Sequence, residues 1–499
     1  MRVDRTRRTR LATCAGLFAG AAVLIAPPRS AATSVDPPRA SVARRAPAGD
    51  STQLVPGIPR DRMIAPASLI AALVAVHRGI PSFSRQTKLA CSACHYQFPQ
   101  LTPFGRLFKL NGYTLTGLET IGQPGDTTSV TLKLAPIPPL SAMVVGSFTR
   151  TAAAQPLTQN NTVTFPQQFS LFLAGEVTPN IGAFTQFTYA AADGSIGIDN
   201  VDLRYATHRT IGTRDLLFGL TLHNNPTVQD VWNTTPAWGF PFISSDVAPS
   251  PIASAVIEGT LSQQVLGFGA YSLWNSLLYT EFTVYRSAPQ GSKQPLDSTA
   301  INTTQGVAPY WRVALQHQAP STYAMVGTYG LSSKLYPVGI TGPVNRFTDI
   351  GVDAQVEQKV GDGTVIGRAA FIHENQRWSA AVAASPQAAE FITNDLKTFR
   401  ASASYLPTLR YGMSLQYFLT NGGTDNLLYA PAPVTGSGTG SPNTSGLLGE
   451  VTFNPWQNTR VGAQYVAYQK FNGASTDYDA SGRSAANNNT VYLYLWLAF

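Results

Sequence analysis

Charge is scarce in this chain. Aspartate, glutamate, lysine and arginine make up 12% of its 499 residues, against the roughly 25% usual in soluble domains. Long apolar runs are scarce as well. After the N-terminus no uninterrupted stretch reaches the ~20 apolar residues that a membrane helix needs. The two scarcities together argue against both an ordinary soluble domain and a helical membrane protein. Gly-rich phosphate loops and nucleophile elbows are missing, so a nucleotide binder or a hydrolase finds no support. Gly, Tyr, Phe, Thr, Ser and Asn are abundant. That mixture suits many β-strands joined by polar loops.

Positive charge is concentrated at the start. "MRVDRTRRTR" carries five arginines, the apolar run "LATCAGLFAGAAVLIA" follows, and the small-residue stretch "SAAT" comes next. This is the pattern of an export signal, expected over residues 1–32. Arg7-Arg8 faintly suggests twin-arginine export, without the rest of that motif. Residues 2–29 supply five of the eight net positive charges, which leaves about three on the exported chain. The basic balance is therefore no argument for nucleic acid. Residues 33–80 read as a Pro/Ala/Arg-rich linker with a short apolar segment at 64–76. That segment suits a docking helix, or a signal if translation starts at Met63. A start at Met63 lacks a basic n-region of its own, so Met1 is preferred.

Cysteine is rare, and its placement is informative. There are three, and Cys14 lies in the apolar signal in a context poor for a lipid anchor. The other two stand in "LACSACHYQF" as Cys91-Ser92-Ala93-Cys94-His95. Two thiols separated by two residues reach the two vinyl groups on one haem edge, and the adjacent histidine then lies under the iron. A structural zinc site wants four ligands, and no second cysteine pair exists. A thioredoxin-like dithiol needs βαβ surroundings that are absent. A plain local disulfide stays open. The expected cofactor is one covalent haem c on Cys91, Cys94 and His95.

The residues that follow suit haem. "FPQLTPFGRLFKLNGY" begins with a proline-bounded turn and continues as a short helix. Leu101, Phe104, Leu107 and Phe108 recur at three- and four-residue spacing, forming a face for the macrocycle. Arg106 and Lys109 lie off that face, as propionate partners or as solvated cations. The sixth ligand has few candidates. Between Tyr96 and Ala142 there is neither histidine nor methionine. Met143 comes first downstream and shares the polar face of "LSAMVVGSFT" with Ser141, Ser147 and Thr149. His208 and His77 are alternatives.

From about residue 137, segments of roughly ten residues alternate. "TDIGVDAQVE" sets Ile350, Val352, Ala354 and Val356 against Asp349, Asp353, Gln355 and Glu357. "TLRYGMSLQYFL" repeats the idea. The last nine residues, "VYLYLWLAF", put Val491, Leu493, Leu495, Leu497 and Phe499 on one face, a pattern similar to the closing strand of bacterial outer-membrane barrels. Tyr492, Tyr494 and Trp496 are expected to add to an interfacial aromatic girdle. Short connections near 178–180, 274–276, 319–322, 361–363, 406–408 and 454–458 alternate with long ones. The count is about 16 strands with both ends periplasmic, provided that 251–262 belongs to a long loop. The fold class is therefore mainly β. It is a transmembrane antiparallel barrel over 137–499, with a small α-helical haem segment over 81–136. A segment that short buries little core of its own, so it is expected to dock in the lumen. In the long loop "HNNPTVQDVWNTTPAWGFPF", His223 and Asp230 suit transient Fe(II) binding or, more plainly, the ordering of a folded-in loop.

"FSRQTKLACSACHYQFPQLTPFGRLFKLNGYTL", residues 83–115, resembles the haem segment of the fused cytochrome–porins. These are outer-membrane monohaem cytochromes of iron-oxidising bacteria. The likeness rests on the haem motif and on Phe104-Gly105-Arg106 with Phe108-Lys109. Lys88 departs from it, standing where a small residue, often Gly, is expected. The resemblance implies that Cys91 and Cys94 bind haem and His95 ligates its iron. It also implies electron flow from extracellular Fe(II) or another donor to a periplasmic c-type cytochrome or other carrier. An enzyme of this kind would be an Fe(II)-oxidising oxidoreductase. A passive porin with a haem-bearing plug, and a conduit running outward, are the alternatives. The expected place is the outer membrane, among its lipids, with the haem on the periplasmic or lumen side.

Overall fold

The computed structural model describes residues 81–115, 139–156, 160–192, 194–287, 302–337 and 342–499. The expected leader and linker (1–80), with His77, lie outside the described residues, as does the joint at 116–138.

Period-2 alternation sorts side chains to two faces, and the strands follow it. They are β1 (Leu140–Thr151), β2 (Thr162–Thr178), β3 (Ile181–Ala190), β4 (Ser195–Ile211), β5 (Arg214–His223), β6 (Val265–Trp274), β7 (Leu278–Ser287) and β8 (Ala308–Gln318). The second half holds β9 (Thr322–Tyr336), β10 (Asn345–Val360), β11 (Gly363–Arg377), β12 (Thr393–Leu406), β13 (Tyr411–Gly422), β14 (Thr444–Trp456), β15 (Thr459–Lys470) and β16 (Thr490–Ala498). Each pairs antiparallel with the next, and β16 pairs with β1 from Thr490–Thr151 to Ala498–Met143, closing the ring. Closure satisfies the edge groups that a bilayer would leave bare. A two-residue strand, Thr303–Thr304, adds to β9 outside the ring.

On β10, Ile350, Val352 and Val356 are about half exposed, while Asp349, Asp353, Gln355 and Glu357 are buried on the inner side. Leu409, Tyr411, Met413 and Leu415 likewise face out. A closed barrel with an apolar outside and a polar inside is the form in which strands cross an outer membrane. The chain is thus a barrel of the outer-membrane type, its apolar outer band facing lipid. Short connections gather at one end and long ones at the other, with the one brief connection at the long-loop end falling at 191–194, where the alternation implied a single short external loop. The two-residue turn at 212–213 is an addition to that reading. Residues 251–262 form no strand and belong to the long loop 224–264, so the parity holds.

The closing strand corrects one expectation. Val491, Leu493 and Leu495 face lipid, so the pleat turns Tyr492 and Tyr494 inward, where both are buried. Trp496 also faces in, stacking on Phe98 at 5.1 Å. These three rings belong to the lumen, not to an outer girdle.

The core lies inside the ring. Loop 224–264 folds inward and packs Val231 and Trp232 against Tyr271, Tyr279 and Tyr323. Its Val256 and Ile257 pack against Tyr329 and neighbours. Residues 81–115 fill the rest as a plug with three short helices, α1 (Ser82–Thr87), α2 (Cys91–Cys94) and α3 (Pro103–Leu110). The plug is anchored all round the wall. Ser82 Oγ and Gln86 Nε2 donate to the Ala174 carbonyl at 2.6 and 2.9 Å, and Tyr113 Oη donates to Asp202 at 2.6 Å. Tyr271 Oη donates to the Leu110 carbonyl at 2.5 Å. A Cβ on Gly182 of the wall would stand 2.0 Å from the Gly112 oxygen, so that approach requires glycine.

Candidate functional site

The motif folds as one turn of helix. The His95 N–H donates to the Cys91 carbonyl, which sets Cys91 and Cys94 three residues apart on one face. The turn is pinned to α3. Thr102 N donates to the Cys94 carbonyl at 2.9 Å, and Thr102 Oγ1 donates to Ala93 O at 2.6 Å. The same hydroxyl caps α3 by accepting from Gly105 N at 3.1 Å. A Cβ on Gly105 would lie 2.1 Å from the Cys94 oxygen, so the close packing of α3 on the motif explains the glycine in "PFGRLF". Lys88 ends α1 with φ +59°, the left-handed conformation that glycine adopts most easily. That accounts for the small residue expected there.

Cys91, Cys94 and His95 line one cavity, which holds about 1600 Å³ of space free of atoms, part of it open to solvent. Its walls are aromatic and come from plug and barrel alike: Phe83, Phe98, Phe108, Phe184, Trp238 and Trp496. The short-turn residues Leu409, Gln457 and Asn458 also line it, which places it at the short-turn end of the lumen. Both thiols are free, and Cys91 Sγ touches Ser84 Oγ at 3.6 Å. Burial, with the neighbouring Cys91, pushes the Cys94 thiol up to about 11. Burial pulls His95 down to about 4, opposed by the Pro99 carbonyl and aided by Arg460. The imidazole is therefore neutral at pH 7. Its Nδ1 is buried with no partner. A neutral imidazole with one bare nitrogen and a carbonyl at hand has the donor set of a metal ligand. Two free thiols, this nitrogen and flat aromatic walls fit a covalently held haem.

Other expected residues have different places. Met143 faces inward as the alternation implied, packed with Val145, Ile243, Tyr492 and Tyr494. It lines an adjoining cavity that shares Phe98, Phe172 and Trp496 with the first. His208 bonds Asn111 of the plug at 2.6 Å, outside the residues that line the cavity. Of the helix face, Leu101 and Phe108 line the cavity, whereas Leu107 packs against the barrel wall.

Arg106 and Lys109 correct the expectation of propionate partners or solvated cations. Both are buried. Arg106 bonds Glu357 with two nitrogens, at 2.5 and 3.1 Å, and lies 3.9 Å over the Tyr323 ring. Lys109 donates to the Val228 and Asp230 carbonyls at 2.7 and 2.8 Å. They fasten the plug to wall and loop. Two cations line the cavity, Lys109, held by the loop carbonyls, and Arg460, whose Nε donates to Asn454 at 3.2 Å. His223 and Asp230 are likewise engaged. His223 bonds Thr221 and Tyr285 at 3.0 and 2.6 Å. Asp230 accepts from the Trp232 and Thr234 N–H groups and pairs with Arg312. Asp230 thus orders the folded-in loop, while His223 ties β5 to β7.

Sequence reasoning did not find Arg460, Trp496 or the aromatic walls. The inward face of Trp496 was readable from its lipid-facing neighbours Leu495 and Leu493. Nothing local marks the others.

No family model and no curated protein matches this chain. Solved structures similar to it include OmpF of Salmonella typhi in complex with daunomycin. That chain has 13% identity and a TM-score of 0.41, with 72% of this chain and 97% of that one covered. An anion-selective porin from Comamonas acidovorans is also similar, with 11% identity, a TM-score of 0.41, and 72% and 98% covered. So is the outer-membrane channel DcaP of Acinetobacter baumannii, with 12% identity, a TM-score of 0.39, and 72% and 96% covered.

Proposed function

We propose that this protein is an outer-membrane electron conduit between an extracellular donor, foremost Fe(II), and a periplasmic c-type cytochrome or other carrier. A haem c held by Cys91, Cys94 and His95 would supply the one-electron redox centre. The observation that carries the reading is the convergence of two free thiols and a bare, buried imidazole nitrogen on one aromatic cavity inside a membrane barrel. Short turns are periplasmic in bacterial barrels, so the cavity opens toward a periplasmic acceptor. Phe98 and Trp496 exclude water from the histidine side, and Arg460 offers a positive charge to an anionic edge. The resemblance of residues 83–115 to the cytochrome–porin haem segment supports the same reading.

The second reading is a passive pore with a haem-bearing plug. A wide aqueous channel would leave the inner wall wet, yet inward Tyr271, Tyr279, Tyr285, Tyr310 and Tyr329 are at most 2% exposed. That favours a conduit for electrons over one for solutes. Outward flow differs from inward flow in potential alone.

Vesicles with enclosed oxidised cytochrome c test the proposal. With the haem-loaded chain in the membrane, external Fe(II) should reduce the enclosed acceptor, and a Cys91→Ser/Cys94→Ser chain should not. An acceptor that stays oxidised while small sugars leak freely would favour the passive pore.

A further inference from the structure

A second cavity lies deeper in the lumen. It holds about 1020 Å³ of space free of atoms, and Asn233 of the inturned loop lines both it and the first. The rest of its lining comes from the loop and from β9, β11, β12 and β13. Two arginines face it, Arg368 and Arg400, with one carboxylate, Glu258. Glu258 is consumed. It bonds Arg400 and accepts the Ala255 N–H at 2.9 Å. Arg368 is left over. Its Nε donates to the Trp232 carbonyl and to Gln355 at 3.3 and 2.9 Å. Its Nη1 and Nη2 are buried with no partner, although the residue is only 6% exposed. The hydroxyl of Thr235, fully buried in the same lining, has no partner either.

Buried polar groups without partners are rare, and an unpaired buried cation is costly. Here a guanidinium edge with two free nitrogens and a free hydroxyl belong to residues that line one cavity. A planar guanidinium matches two oxygens of a carboxylate or phosphate. We propose that this cavity is a binding site for a small oxyanion, with the Arg368 edge as its principal contact and Thr235 Oγ1 as a further donor. The lining excludes a bare divalent cation, because its one carboxylate is already neutralised. The oxyanion is either free phosphate or the carboxylate of a small organic anion. The inference stands independently of the haem reading.

The full chain in detergent micelles, titrated calorimetrically at low ionic strength with inorganic phosphate and separately with citrate, tests it. One saturable site per chain is expected for at least one anion, and which anion binds identifies the source. Arg368→Gln should weaken binding by at least about tenfold, the loss of charge-assisted hydrogen bonds. Thr235→Val, a milder change, should weaken it several-fold while the barrel keeps its heat-dependent gel mobility. The proposal is overturned if the unaltered chain takes up neither anion saturably. It is equally overturned if the folded variants bind as the unaltered chain does.

Discussion

In the wall, β10 and β11 pair residue by residue from Arg346–Arg377 to Val360–Gly363, all through backbone. In the plug, residues 81–115 hold three helices of four to eight residues and reach the wall almost entirely through side chains. The wall is specified by a repeating local pattern that closes on itself. The plug is specified by single contacts such as Arg106–Glu357, 251 residues apart in sequence. A segment of that size cannot bury enough surface to fold alone, so the barrel provides its core. The wall therefore tolerates change that the plug does not, and the plug can be perturbed without the wall.

The largest effect is expected from Cys91→Ser/Cys94→Ser. Covalent haem should vanish from the denatured polypeptide while the barrel's melting is unaltered. Arg106→Ala removes the ion-pair partner of the buried Glu357 and leaves only the Tyr96 and Gln355 hydrogen bonds, which costs about 3–5 kcal/mol. Hydrogen exchange should show residues 81–115 losing protection, with the strands unchanged. Val352→Arg makes the converse change. It puts a charge on the lipid face in mid-strand and should destabilise the barrel by about 2–4 kcal/mol, read as a lowered urea midpoint of the whole protein.

The smallest effect is a pH dependence. Burial, with Arg204 nearby, holds Lys109 down to about 7, although Asp202, Asp230 and Glu281 pull it up. The docked plug then holds fewer protons than the undocked one between about pH 7 and the ordinary lysine range near 10.4. Docking should strengthen as pH rises through that window and be weakest below it. A neutral amine still has two hydrogens for the Val228 and Asp230 carbonyls. Limited proteolysis of the plug at pH 7 and 9 should show the difference, and Lys109→Met should abolish it.

The same division explains what the sequence made legible. Ile350, Val352 and Val356 against Asp349 and Asp353 is a period-2 signal contained in one strand, so strands and loop parity could be counted along the chain. The haem motif is equally local, five residues in one helical turn. Only the turn at 212–213 escaped, since Gly212-Thr213 leaves little break between two strands. The partners of Arg106 and Lys109, on β10 and in loop 224–264, and the cavity walls, from β1, β2, β3, β14, β15 and β16, come together only when the ring closes around the plug. Helix periodicity placed Arg106 and Lys109 off the apolar face correctly. It carried no information that a second wall would meet them there. Tyr492 and Tyr494 were misplaced for a different reason. Aromatic composition points to an interfacial girdle, whereas the alternation of their own neighbours Val491, Leu493 and Leu495 turns them inward.

The most direct test is an absorption spectrum of the full chain, produced with c-type maturation machinery and purified as a folded barrel, before and after Fe(II) is added. The account predicts a haem that stays with the polypeptide through acid–acetone extraction and whose α-band appears with Fe(II). A folded barrel with no covalent haem would contradict it.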